Sequence, residues 1–254
     1  MRIVTLIIAA AISAACQQQS ATGQSPPTKL AASAPMPVAL IAADGVRIAA
    51  LHYRASRPKA LIMLFHQAGS SKGEYATIAP RLIEAGYSAL AIDQRSGGDM
   101  FGRNYTAAAL GREVGYSEAR KDLDAALAWA AAQGKPVIIW GSSYSAALAF
   151  QLAADNPQVA AVLAFSPGEY LGKGNPVAAA AARVRVPIFV TSASAAGEVA
   201  AARAILAASP AATKNQHIPL AGVHGSSTLI PASNARGAAA NWEAALAFLN
   251  SVAG

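Results

Sequence analysis

The sequence predicts an α/β fold, a mostly parallel, doubly wound sheet of about eight strands with helices on both faces. Three observations point there. Apolar runs at residues 60–65, 87–92, 137–140, 159–165 and 187–191 have the unbroken character of strands buried on both faces. Segments of helical spacing lie between them. Each run ends in a small polar or Gly-rich loop, and the carboxyl ends of the strands are where such a sheet collects its ligand-binding groups.

The elements follow in order. Residues 37–43 and 46–53 read as two strands turned at Asp44-Gly45, a strong hairpin signal. The run 60–65 leads into His66-Gln67-Ala68-Gly69-Ser70-Ser71. A helix is expected over 74–85, with Ile78, Leu82 and Ile83 inward and Gly86 as its stop. After the strand 87–92 come Asp93-Gln94-Arg95, with Asp93 read as structural and paired with Arg95. Residues 99–115 are Gly-rich, aromatic and aperiodic, which predicts a long loop shaping a pocket. A helix over 117–132 precedes the strand 137–140. Then come the turn Gly141-Ser142-Ser143-Tyr144-Ser145 and an Ala-rich helix from Tyr144 to about Ala154. Beyond the last two buried runs, 198–208 reads as a helix, 215–220 as a short strand carrying His217, and 241–252 as an amphipathic helix.

The N-terminus has a different composition. Arg2, the apolar run 3–12 and the small residues Ser13, Ala14 and Ala15 read as an export signal over 1–15, too short for a stable membrane span. It resembles a bacterial lipoprotein signal in which Cys16 takes the lipid. An ordinary secretory signal cut near Ala15 is the alternative. Residues 16–36 are rich in Gln, Ser, Thr, Ala and Pro and read as the lipidated Cys16 and a flexible tether, leaving 37–254 as one domain. The expected location is the cell envelope, anchored at the outer membrane and facing the periplasm, with membrane contact through the N-terminal lipid only. Cys16 is the single cysteine, so the folded domain relies on packing rather than disulfides.

The net charge is +7, but the basic residues are dispersed and not interleaved with aromatics, which argues against nucleic acid as a partner. Four scattered histidines and no cysteine in the domain make no metal set. No G-x-G-x-x-G or P-loop follows a strand, so no cofactor is expected. No feature of the sequence specifies an oligomeric state.

Strand, sharp turn and helix are the context in which a G-x-S-x-G elbow exposes a nucleophile, here Ser143 in Gly141-x-Ser143-x-Ser145 with Ser for the second Gly. A neutral hydroxyl needs a base. His224, in Gly222-Val223-His224-Gly225 after the last strand, stands in the chain order Ser, acid, His. Ser142 falls at the spacer position, and His66 reads as shaping its loop. His52 and His217 read as ordinary strand residues.

On these motifs the chain resembles the α/β-hydrolases, and among them dienelactone hydrolase-like serine esterases. The resemblance spans nearly all of 37–252. His66-Gln67-Ala68-Gly69 is similar to the family's His-Gly-x-Gly loop with Gln67 in place of Gly. It implies an oxyanion hole from the backbone N–H of Tyr144 and one of Ala68 or Gln67, with the alignment favouring Ala68. It also implies an acid after the strand following 159–165, where Glu198 is the only carboxylate between Ser192 and Val199. Some relatives place it one strand earlier, where Glu169 stands. The implied activity is a cofactor-free carboxylesterase for small or medium acyl esters, working through a Ser143 acyl-enzyme. A thioesterase, lactonase or acyl-peptidase would use the same parts. A non-catalytic envelope lipoprotein that keeps the fold as a binding module is the alternative of another class, motivated by Ser145 and the choice of acids.

Overall fold

The computed structural model describes Met1 and residues 34–253. The signal, Cys16 and nearly all of the tether lie outside the described residues. Strands β1 (Met36–Ile41) and β2 (Arg47–Tyr53) form an antiparallel hairpin over the Asp44-Gly45 turn, where Gly45 takes a φ of 81°. Strands β3 (Leu61–Phe65), β4 (Ser88–Ile92), β5 (Val137–Ser142), β6 (Ala161–Phe165) and β7 (Ile188–Thr191) are buried at every position. Strand β8 (Lys214–Gln216) closes the far edge and is partly exposed. The order is β1-β2-β4-β3-β5-β6-β7-β8, parallel from β4 to β8 and antiparallel at the hairpin end.

Between the strands run α1 (Ile78–Glu84), α2 (Tyr105–Leu110), α3 (Arg120–Ala131), α4 (Tyr144–Asp155), α5 (Pro176–Ala181), α6 (Ala196–Ala208) and α7 (Ala238–Val252). Residues of α3, α4, α5 and α6 share one apolar core with one face of the sheet. On the other face Ile78 and Leu82 of α1 and Trp242 and Phe248 of α7 build a second. In the second core Trp140 stacks on Phe165 with ring centroids 4.4 Å apart. Two apolar faces on one sheet are why the strands read as unbroken hydrophobic runs rather than as alternating ones.

Four elements differ from the sequence expectation. The helix expected over 74–85 is a 3-10 turn at Lys72–Tyr75 followed by α1 from Ile78. Pro80 lacks an N–H and is tolerated only in a helix's first turn, so a helix begun at Glu74 would have placed it in the interior. The segment 99–115 is not wholly loop. The Asn104 side chain accepts from Ala107 N at 2.8 Å to start α2, and Gly111 ends it at a φ of 68°. Strand β8 stops at Gln216, and His217 lies just beyond it, while Ile218 and Leu220 are exposed. Helix α5 was not anticipated. It opens with Pro176 in its first turn, a preferred site for proline.

Candidate active site

The carboxyl ends of β3, β5, β6 and β7 and the loop after β8 converge. At the end of β5 the chain turns sharply into α4, and Ser143 sits in the turn with φ 60° and ψ −124°. A non-glycine residue held in so sparsely populated a region costs about 1–3 kcal/mol, which the surrounding packing must offset. The Ser143 N–H donates to Phe165 O at 2.8 Å, which ties the turn to β6. Gly141 permits the turn. A Cβ there would lie 2.4 Å from Ser145 O and 2.6 Å from the Ala146 Cα.

Ser143 Oγ is 2.8 Å from His224 Nε2, and His224 Nδ1 is 3.0 Å from Glu198 Oε1. An ionised carboxylate can only accept, so Nδ1 carries the ring proton and Nε2 is the bare nitrogen facing the serine. Glu198 lies in the first turn of α6 and also accepts from Ala193 N at 3.1 Å. Burial pulls its carboxyl up, but hydrogen bonds from His224, Ser166 and Ala193 N outweigh that and hold it below the ordinary value. The His224 loop is fixed from β6: Gly225 N donates to Ser166 Oγ at 2.9 Å, and Ser166 itself has a φ of 53°.

Glu169 is elsewhere engaged. Its two oxygens accept from Val177 N and Ala178 N, both at 2.8 Å, at the N-terminus of α5. Negative charge is favoured there. Of the two glutamates, His224 therefore pairs with Glu198. The candidate oxyanion donors also separate. Gln67 N donates to Glu74 Oε2 at 2.8 Å and is not available to an oxyanion. Ala68 N donates to no protein group among the described residues, and Tyr144, first residue of α4, has an N–H with no intrahelical partner.

His66 is fully buried and spent on its own loop. Nδ1–H donates to Gln67 O at 2.8 Å, Nε2 accepts from Gln94 N at 3.0 Å, and burial lowers the ring pKa to about 4. The expected Asp93–Arg95 pair does not form. Asp93 holds Lys72 Nζ at 2.6 Å and two backbone N–H groups, while Arg95 bonds Asp122 and Asp44. His52 packs edge-on against Trp129, and His217 Nε2 is 3.0 Å from Asn241 Oδ1. Among the described residues no cluster of three potential ligands stands ready for a metal, and no helix is long and apolar enough to cross a membrane.

The partners of Ser142 and Ser145, and Tyr170 beside Ser143, were not singled out from the sequence. Ser145 Oγ donates to His66 O at 2.5 Å and accepts from Gln94 Nε2 at 2.7 Å, so the serine in place of the second glycine stitches α4 to the His66 loop. Ser142 Oγ donates to the buried Glu74 Oε1 at 2.7 Å and accepts from Ser226 N at 2.8 Å. Tyr170, whose hydroxyl stands beside the Ser143 side chain, donates to Ser166 O at 3.3 Å. No periodicity marks these positions. The available signal was a polar residue flanked by strand ends. Restoring the glycine with Ser145→Gly should leave two buried bonds unmade and destabilise the fold by about 1–3 kcal/mol, read as a lower denaturation midpoint. An unchanged midpoint would count against the stitch.

A cleft of about 580 Å³ opens alongside, walled by Tyr116, Arg112, Val114 and Ala107 and reaching Gly69 of the His66 loop. Tyr116, just past the segment 99–115, stacks on Tyr144 with ring centroids 4.4 Å apart.

No curated protein matches the chain in sequence. Among solved structures it is similar to a thermostable carboxyl esterase of Bacillus coagulans, at 12% identity and TM-score 0.66 over 87% of this chain and 99% of that one. It is also similar to a dienelactone hydrolase of Anabaena variabilis, at 18% and 0.66 over 86% and 98%. A Pyrococcus furiosus esterase gives 17% and 0.61 over 91% and 97%. At such identities the likeness is one of fold. The profile of the family described as serine aminopeptidase, S33, matches residues 56–214, more than half of the chain and including Ser143 and Glu198. The chain belongs to that family and has the α/β-hydrolase fold.

Proposed function

We propose that this hydrolase is a serine carboxylesterase acting on small or medium acyl esters. The observation that carries the proposal is the unbroken hydrogen-bond chain Ser143 Oγ, His224 Nε2, His224 Nδ1, Glu198 Oε1. His224 takes the Ser143 proton as Oγ attacks the ester carbonyl carbon. The carbonyl electron pair moves to oxygen, where the N–H groups of Ala68 and Tyr144 receive it, and each such donor contributes about 3–4 kcal/mol at the transition state. The tetrahedral adduct collapses, the alcohol leaves with the proton from His224, and water repeats the sequence on the acyl-enzyme. Glu198 stabilises the imidazolium at both stages.

The esterases and dienelactone hydrolases among the fold's neighbours support an ester substrate. The family's description favours a second reading, cleavage of an N-terminal aminoacyl or acyl-peptide bond by the same parts. Hydrolysis of p-nitrophenyl acetate and butyrate against aminoacyl p-nitroanilides separates the two. Inertness of the wild type to both panels and to a fluorophosphonate probe would leave the binding-module alternative. We further propose export and lipidation at Cys16, placing the enzyme in the cell envelope. The support is the residue pattern of 1–16 alone. A mature mass without a lipid, or a chain starting beyond Cys16, would count against it.

A further inference from the structure

Of the buried carboxylates that the serine mechanism above leaves unused, Asp93 and Asp122 pair with Lys72 and Arg95, while Glu74 has no cationic side chain bonded to it among the described residues. Glu74 lies in the 3-10 turn Lys72–Tyr75 and is 1% exposed. The turn is pressed hard against its neighbour: a Cβ on Gly73 would lie 1.8 Å from Phe101 O. From this rigid base Oε2 accepts from Gln67 N at 2.8 Å and Oε1 accepts from Ser142 Oγ at 2.7 Å. Ser142 Oγ in turn accepts from Ser226 N at 2.8 Å. Gly225 closes the group, since a Cβ there would lie 2.5 Å from Ser142 Oγ and 2.9 Å from Gln67 Oε1.

Each anchored residue is next to, or nearly next to, a reacting group. Gln67 precedes Ala68, Ser142 precedes Ser143, and Ser226 follows His224 by two positions. One carboxylate therefore joins the backbone of the oxyanion loop, the nucleophile turn and the base loop. We propose that ionised Glu74 is a positioning residue for hydrolysis, holding the oxyanion donor, Ser143 and His224 in register through Gln67 N–H and Ser142 Oγ.

Both oxygens act as acceptors, which only the carboxylate can do without rearrangement. A proton on Oε2 would face the Gln67 N–H. A proton on Oε1 would displace the Ser142 hydrogen, because Ser142 Oγ already accepts from Ser226 N. The groups facing Glu74 are His224, Tyr75 of its own turn, Tyr144 of α4 and the polar side chains of Ser142 and Ser70. None is a permanent cation. Burial accordingly pushes the carboxyl up to about 7, against the hydrogen bonds from Gln67, Ser142 and Ser70 and the attraction of a charged His224. Activity then requires Glu74 to lose its proton in the neutral range to which burial raises it.

The sign for stability is opposite. A carboxyl raised from 4.5 to about 7 on folding binds its proton more tightly in the native state, so its contribution is full below the lower value and is lost as pH rises to the upper. The charge that the proposed role needs is one the fold would rather not bury.

The inference rests on the serine-esterase reading, and the test separates the two. On the acid side the slope of log kcat should be one unit steeper in the wild type than in Glu74→Gln, the missing proton being that of Glu74. At pH 8 Glu74→Gln should lose about 10–100-fold in kcat with KM changed less than about threefold, since a misplaced donor acts in the transition state. The Tm of the variant relative to wild type should shift in the variant's favour as pH rises from 4.5 to about 7, a readout independent of turnover. Should the variant not fold, Glu74→Asp takes its place, and an acid limb and kcat unchanged from the wild type would overturn the proposal. Wild-type kcat in Glu74→Gln would overturn it as well while leaving the esterase standing. An inert wild type would remove both.

Discussion

Ser143→Ala is expected to reduce ester hydrolysis by a factor of about 10⁴–10⁶ and to abolish labelling by a fluorophosphonate, with KM little changed. Ser143 Oγ lies 2.8 Å from His224 Nε2, and the neighbouring hydroxyl does not substitute for it: Ser142 Oγ is committed to Glu74 and Ser226 N. His224→Ala should cost about as much, because the two act as a unit and the loss of either removes the same step. Combining the two changes should therefore cost little more than one alone. Near-wild-type turnover in Ser143→Ala would mean the ester is cleaved elsewhere. The Ser143→Ala protein should fold, since the side chain faces His224 and Tyr170 within the site, and thermal melts would establish it.

Glu198→Gln is expected to lower kcat by about 10³–10⁴, whereas Glu169→Gln should leave kcat within about twofold. The amide at 198 can present its NH₂ to Nδ1, which favours the tautomer with the proton on Nε2, the wrong nitrogen for accepting from Ser143. Glu198 stays ionised to below the usual carboxylate range, so its own protonation lies acidic of the neutral-range limb attributed to Glu74. Glu169→Gln removes a charge from the start of α5 and should show as roughly 0.3–1 kcal/mol of lost stability instead. The opposite result, activity lost at 169 and kept at 198, would require His224 to change partner.

Much of this arrangement was legible in the residues. Burial on both faces writes β3 to β7 as apolar runs, because every position of a covered strand is removed from water. Ser143 was marked by strand, turn and helix in succession, and His224 by its place after the last strand. Glu198 was narrowed to a handful of positions because strand ends converge in this topology. What was not legible involves hydrogen bonds between residues far apart in the chain. Glu74 and Ser142 are 68 positions apart, and Gln67 and Ser227 are 160 apart. Nothing in the local spacing of Gly73-Glu74-Tyr75 distinguishes a solvated glutamate from one sealed beneath a nucleophile. Pro80 was readable, and its exclusion from a helix interior sets the start of α1 that periodicity misplaced.

The sequence by itself determined the layered α/β architecture, the sharp turn at Ser143 and the placing of His224 after the last strand, because these follow from periodicity, turn chemistry and strand ends. Only the tertiary structure decided that Glu198 rather than Glu169 meets His224, that Gln67 N–H is already taken, and why Ser145 suits the elbow. The physical reason is that a hydrogen bond is satisfied once. Which partner satisfies it depends on which strand ends lie side by side, and the order β4-β3-β5-β6-β7 is a property of the folded sheet, not of any local stretch of chain.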